Sequence, residues 1–272
     1  MGTLELQVDF QSFLLLTVVV GSVVLLMQRR RAASAEYRAP VARAQSSELA
    51  PPHAVPSATH GAPWLALLRA VFPVLLAVFL FRAFVVEPYR IPTGSMIPTL
   101  AVGDYVFVSK FAYGLRLPVV NLKLVPVAQP RRGDVVVFVP PHERRYFIKR
   151  VVGLPGDRIR VVVGELYING ERVDVRVDDT DSADDGVQSY VESLGGRQHR
   201  IQRFVGLHSR EGEWRVPDES YFMLGDNRDM SEDSRYWGYV AGDQIVGRAV
   251  AIWVHKPPGW SWPTLARNGV IH

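Results

Sequence analysis

The residues able to do chemistry sit in separated stretches. Ile91 to Leu100 reads IPTGSMIPTL, with Pro92 and Pro98 bracketing Gly94, Ser95 and Met96. The prolines fix φ, remove amide donors and suppress helix, so Ser95 is a small hydroxyl on a stiffened turn, where it can act as a nucleophile. The same residues also read as a plain Pro/Gly turn leaving an apolar helix. A serine nucleophile needs a base, most often histidine. Of the seven histidines, His53 and His60 lie in a linker-like stretch, His199 borders a polar run and His272 is terminal, while His142, His208 and His255 have turn-like surroundings. G-x-S-x-G, H-E-x-x-H and S-x-x-K are all absent.

A lysine base remains, and Lys149 suits it. In Tyr146-Phe-Ile-Lys-Arg-Val-Val152 strand alternation puts Phe147 and Val151 on the lysine's own face. Burial there disfavours the ammonium and moves its pKa toward neutrality, as a base for serine requires. A lysine snorkelling from a surface strand fits the same residues. Gly225 to Gly238 reads GDNRDMSEDSRYWG. Its charges lack metal-ligand spacing and suggest a loop tied by its own Asp/Arg pairs that places one hydroxyl, or else a polar surface turn.

These stretches need elements to hold them. Phe10 to Met27 is apolar and uncharged, long enough at about 1.5 Å per residue to cross a bilayer, and the acidic leader (Glu5, Asp9) argues against a cleaved signal sequence. Residues 1–27 are therefore expected to hold the N-terminus and a first transmembrane helix. Residues 28–63, rich in Ala, Pro and Ser with arginines 29, 30, 31, 38 and 43, are expected to be a cytoplasmic linker. Residues 64–86 are expected to form a second transmembrane helix, with Arg69 and Arg82 snorkelling to opposite interfaces. A buried soluble helix is the alternative.

Beyond Leu100 the chain turns to short β-branched runs: 105–109, 134–139, 146–152, 158–163, 166–173, 221–224 and 244–254. Asn169-Gly170 predicts a tight hairpin. Val177 to Arg203, with Asp178, Asp179, Asp181, Asp184 and Asp185, lacks EF-hand spacing and reads as a solvated loop. The expected division is a catalytic β core in two parts, 87–165 and 215–272, with a β-rich insertion carrying an acidic loop at 166–214. Core packing is the default for the tryptophans of the tail (253, 260, 262), a membrane interface the alternative. The absence of cysteine excludes disulfides, thiolate metal sites and a cysteine nucleophile. The net charge of +4 is modest, and Arg29 to Arg31 suit a membrane flank better than nucleic acid.

In this order after the apolar runs, IPTGSMIPTL, RRGDVVVF (131–138), YFIKRVVGLPGD (146–157) and GDNRDMSEDSRYWG resemble the bacterial type I signal peptidases, or leader peptidases, of the Gram-negative two-span kind. The resemblance covers Glu87 to Val254. It implies two N-terminal transmembrane helices followed by a mostly-β extracytoplasmic domain of the Ser/Lys-protease kind. It implies that Ser95 is the nucleophile and Lys149 the general base. Ser231 would orient the lysine, and Asp233 with Arg235 would stiffen the loop. The Ser95 N–H and the Thr93 hydroxyl would form the oxyanion hole, and Tyr89, Ile91, Met96 and Ile148 would line pockets for small residues at −1 and −3.

The implied partners are signal-peptide-bearing preproteins and the lipid bilayer, with no nucleic acid, no metal and no cofactor; the oligomeric state is unknown. The implied location is the bacterial inner membrane, multi-pass, with the catalytic domain on the periplasmic side. Thr93 stands where relatives often have serine, and its methyl narrows the rotamers. Met230 departs from the expected asparagine. A membrane-tethered self-cleaving Ser/Lys regulator of the repressor type would need a DNA-binding segment, and residues 28–63 show no helix-turn-helix pattern. Against a non-enzymatic β-rich interaction module stand the intact Ser95, Lys149 and Ser231.

Overall fold

The structure, a computed structural model, describes residues 15–30, 63–84, 86–116, 123–179, 186–207 and 209–272. Two compact units divide at about Arg82 and Ala83. In the first, residues 15–30 and Pro63–Phe84 are helical. Residues 10–14 of the expected first span, and 31–62 of the expected linker, lie outside the described residues. Among the described residues one helix, over Pro63–Leu80 with a mean hydropathy of 2.1, is long and apolar enough to cross a membrane. The helices pack closely, since a Cβ on Gly21 would stand 2.9 Å from the Phe72 ring.

The second helix ends at Phe84, short of the expected Val86, because Val86–Arg90 is already a strand, paired antiparallel with Asp104–Ser109. That pair is one end of an eight-stranded sheet running Val86–Arg90, Asp104–Ser109, Ile245–His255, Val135–Phe138, Phe147–Gly153, Ser220–Leu224 and Val240–Ala241, with Gly269–Val270 beside Ile245–His255. Val136, Phe138, Val151 and Met223 enter one core cluster, while Val152, Phe222 and Leu224 enter another with Ile159, Leu166 and Leu194. Successive residues of one strand thus point into different cores, as a period of two requires. Because both faces are covered, the central strands read as unbroken apolar runs rather than alternating ones.

Arg158–Val162 lies between Gly212–Arg215 and Glu165–Ile168, and Glu165–Ile168 turns into Glu171–Arg172 through Asn169 and Gly170, whose φ values are +54° and +89°. Both turn residues are left-handed, the type I′ geometry the Asn-Gly pair predicts. The expected boundaries at 165/166 and 214/215 fall inside strands of this sheet, and Leu166 belongs to the second core cluster.

The reading of 177–203 as a solvated loop is corrected. Val187–Leu194 and Arg197–Phe204 are paired along their whole length, joined at Gly195-Gly196, both at positive φ, and Val175–Val177 adds a third strand. The pattern is hidden because several inward positions are polar: Ser189, Glu192, His199 and Gln202 are all buried. Asp178 is buried as well and meets Arg200 at 2.8 Å, while 181–185 lie outside the described residues. The tail tryptophans also depart from core packing. Trp260 and Trp262 are fully exposed, whereas Trp253 stacks on Phe107 at 5.5 Å.

Candidate active site

The nucleophile turn is held at both ends. The Ile91 N–H donates to the Asp104 carbonyl at 2.8 Å, the Gly103 N–H to the Ile91 carbonyl at 2.9 Å, and the Leu100 N–H to the Met96 carbonyl at 2.8 Å. The Asp104 carboxylate accepts from the Ala101 N–H and meets His255 Nδ1 at 2.7 Å, and Arg267 joins it while donating to the carbonyl of Pro98. These bonds fix the Pro-bracketed backbone where side chains alone would not.

Lys149 lies opposite Val136 in the central sheet, is 4% exposed, and donates from Nζ to Ser95 Oγ at 2.5 Å. Its Nζ also lies 5.9 Å from the Phe147 ring centre, on the face that alternation assigns. Burial pushes the ammonium from 10.5 down to about 8, against the opposing pull of Asp233, Asp226 and Glu232. A deprotonated lysine is thus accessible near neutral pH beside a hydroxyl it can deprotonate. Thr93 Oγ1 is 3.5 Å from Ser95 Oγ.

Asp233 and Arg235 form the expected pair, bidentate with both contacts at 2.7 Å. Asp233 also accepts from the Gly225 N–H at 3.1 Å, and Arg235 donates to the Arg228 carbonyl, so the pair closes the loop on itself. The lysine contact implied for Ser231 is not made here. Its Oγ is buried without a hydrogen-bond partner among the described residues, while the ammonium is engaged by Ser95. Ser231 nonetheless stands at the site: a Cβ on Gly225 would fall 2.2 Å from Ser231 Oγ and 2.4 Å from the Ser95 carbonyl. Glycine is needed at 225 because these loops meet there. Met230 is exposed, so its departure from asparagine puts a thioether in solvent rather than beside the dyad.

Of the implied pocket residues, Tyr89, Ile91 and Met96 are buried and Ile148 is half-buried. The Tyr89 ring meets Tyr146 edge-on at 5.6 Å, which brings Val86–Arg90 beside the start of the Lys149 strand.

Several positioning residues escape a reading of the sequence. Arg150 donates from Nε and a terminal nitrogen to both oxygens of Asp226, at 2.8 and 2.7 Å, with both side chains buried, and Thr99 donates to the same carboxylate. Asn227 donates from its backbone to the Ser95 carbonyl at 3.1 Å and from its side chain to the Gly94 carbonyl at 3.0 Å. The loop is therefore tied to the nucleophile turn as well as to itself. The available signal was Arg150, since a second charge beside Lys149 in a strand whose other residues are apolar must find a partner.

A family model described as signal peptidase, peptidase S26, matches residues 64–254. A signal peptidase I of Pseudomonas aeruginosa is 46% identical over 221 residues, covering 75% of this chain and 78% of that protein. A signal peptidase I of Pseudomonas fluorescens is 44% identical over 220 residues, covering 75% and 78%. One from Buchnera aphidicola is 33% identical over 241 residues, covering 72% and 77%. Matches of this extent place the chain, with its mostly-β domain, in the peptidase S26 family of bacterial type I signal peptidases.

Proposed function

We propose that this chain removes N-terminal signal peptides from exported preproteins, cutting after small residues at −1 and −3. The observation that carries the reading is the buried Lys149 bonded to Ser95. Neutral Lys149 takes the hydroxyl proton as Ser95 Oγ attacks the carbonyl after the −1 residue. The Ser95 N–H and the Thr93 hydroxyl receive the oxyanion. Lys149 then protonates the leaving amine, and the same lysine draws a proton from the water that hydrolyses the acyl ester. Ser231 steadies the lysine once Ser95 is acylated and the short Ser95–Lys149 bond is broken; its unpartnered Oγ at the loop junction supports that role. The catalytic core is the eight-stranded sheet, whose strands come from before and after 166–214.

Ile91, Met96, Tyr89 and Ile148 set the depth of the substrate pockets; the first three are buried, so packing holds them in place as pocket walls. The full chain in detergent should cleave a preprotein carrying Ala-X-Ala, and Ser95→Ala should not. Phe or Lys at −1 should lower kcat/KM by about 100-fold or more, because a shallow apolar wall rejects bulk and charge sterically. Equal cleavage of the Phe substrate would remove the pocket assignment, and cleavage by Ser95→Ala the function.

We further assign the chain to the inner membrane as a multi-pass protein with its catalytic domain on the periplasmic side. The hydropathy of Pro63–Leu80 and the arginines of the linker support this. Protease added to spheroplasts should degrade the chain beyond Val86 and spare 28–63; protection of the C-terminal part would reverse the orientation.

A further inference from the structure

We infer that the hairpin Val187–Phe204, which lies outside every segment carrying the catalytic motifs, is a positioning element for the nucleophile, acting through a Glu192–Arg228 ion pair and the backbone of the catalytic loop. This rests on the proposed peptidase function and names residues that serve the same site.

The hairpin and the loop share a seam. The Gln202 N–H donates to the Asp226 carbonyl at 2.9 Å, and the Arg228 N–H donates back to the Gln202 carbonyl at 3.0 Å, so Asp226 to Arg228 lie as a short parallel partner on the edge of Arg197–Phe204. Asp229 accepts the Phe204 N–H at 2.8 Å. Across the loop, Asn227 reaches the carbonyls of Ser95 and Gly94. One short segment is thus gripped by the hairpin on one side and grips the nucleophile turn on the other.

The charges lock the seam. Both Glu192 oxygens receive the Arg228 guanidinium, Oε1 at 2.6 Å, and the third donor of Arg228, Nε, closes on the Gly225 carbonyl at 3.2 Å. His199, opposite Glu192 in the hairpin, brings Nε2 to 3.1 Å from Glu192 and 3.9 Å from Asp226. Glu192 is fully buried and Arg228 is 4% exposed. Burial pushes the Glu192 carboxyl up, but Arg228 and His199 more than reverse it and keep it ionised. A bidentate pair shielded from water has one geometry, and removing either partner leaves a buried charge that the loop must move to solvate. Such movement reaches Ser95 through Asn227.

The test uses the full chain in detergent, with Glu192→Gln, Arg228→Gln, their double variant, and Glu171→Gln, an exposed acid on another strand, as the control. Glu192→Gln should lower kcat by about 10- to 100-fold, the usual scale for a supporting contact behind a catalytic group, with KM within about twofold. The double variant should cost little more than either single one, because the residues act as a unit. Amide hydrogen exchange should rise at 225–229 and 94–97 and stay unchanged in the central sheet. Wild-type kcat in Glu192→Gln would overturn the inference, as would additive losses or exchange rising uniformly across the domain. If the wild-type chain fails to cleave the preprotein, the function falls, and the exchange pattern alone then decides whether the hairpin positions the nucleophile turn.

Discussion

Lys149→Arg should be inactive, with kcat/KM down by about 1,000-fold or more, although arginine keeps the charge and adds donors. A guanidinium stays protonated at any working pH and cannot accept the Ser95 proton, so a lysine that only supplied positive charge would tolerate the change and a base would not. Ser95→Ala and Lys149→Ala should each lose about as much as their combination, because the 2.5 Å pair acts as one unit. The acidic limb of wild-type kcat/KM should fall near the Lys149 value of about 8. Activity then rises with pH through that value as the ammonium loses its proton. Replacing His142 or His255 should leave the limb where it is.

The same burial makes Lys149 costly to the fold. Unfolded lysine holds its proton to about pH 10.4, the folded one only below about 8, so between these values the unfolded state binds more protons and stability rises with pH. Below about pH 8 the full cost is present. Lys149→Met should therefore be inactive yet no less stable at neutral pH, and urea unfolding checks that its inactivity is chemical. An active Lys149→Arg enzyme would move the base role to another residue.

Arg150→Ala should lose about 3–5 kcal/mol of stability, the range for stranding one member of a buried pair. Arg150 is about 1% exposed and Asp226 fully buried, so no water replaces the guanidinium. Burial pushes the Asp226 carboxyl up, and Arg150 with its hydrogen bonds more than reverses this, leaving it below the ordinary range. In the wild type this stabilises the fold above the unfolded aspartate value and is lost as pH falls through the lower folded one. Without Arg150 burial meets the weaker opposition of His199 and the Thr99 hydroxyl, the carboxyl moves up, and the deficit should shrink on acidification as Asp226 protonates. Denaturation of the full chain at pH 7 and pH 4.5, followed by tryptophan fluorescence, measures both. Arg150→Met with Asp226→Leu should recover much of the stability, since an apolar pair of similar volume replaces a desolvated ionic one. A deficit independent of pH would mean that Asp226 is not the group left behind.

Local rules were enough for much of this protein. The β-branched runs became strands of the central sheet and of the sheet holding Arg158–Val162, Asn169-Gly170 became a left-handed two-residue turn, and alternation put Phe147 beside the Lys149 ammonium, because each of these follows from residues a few positions apart. Locally Ser95, Lys149 and the 225–238 loop each read equally as a plain turn or a surface strand, and it was the family resemblance that implied a dyad and its support. What tertiary structure alone decided was the pairing of charges across long separations: Arg150 with Asp226, Glu192 with Arg228, Asn227 with the carbonyls of Gly94 and Ser95. It also decided that 187–204 is a hairpin, since Glu192 and His199 point inward only because Arg228 and Asp226 wait there. A polar side chain is read locally as facing water, and only the folded chain supplies the distant partner that makes its burial affordable.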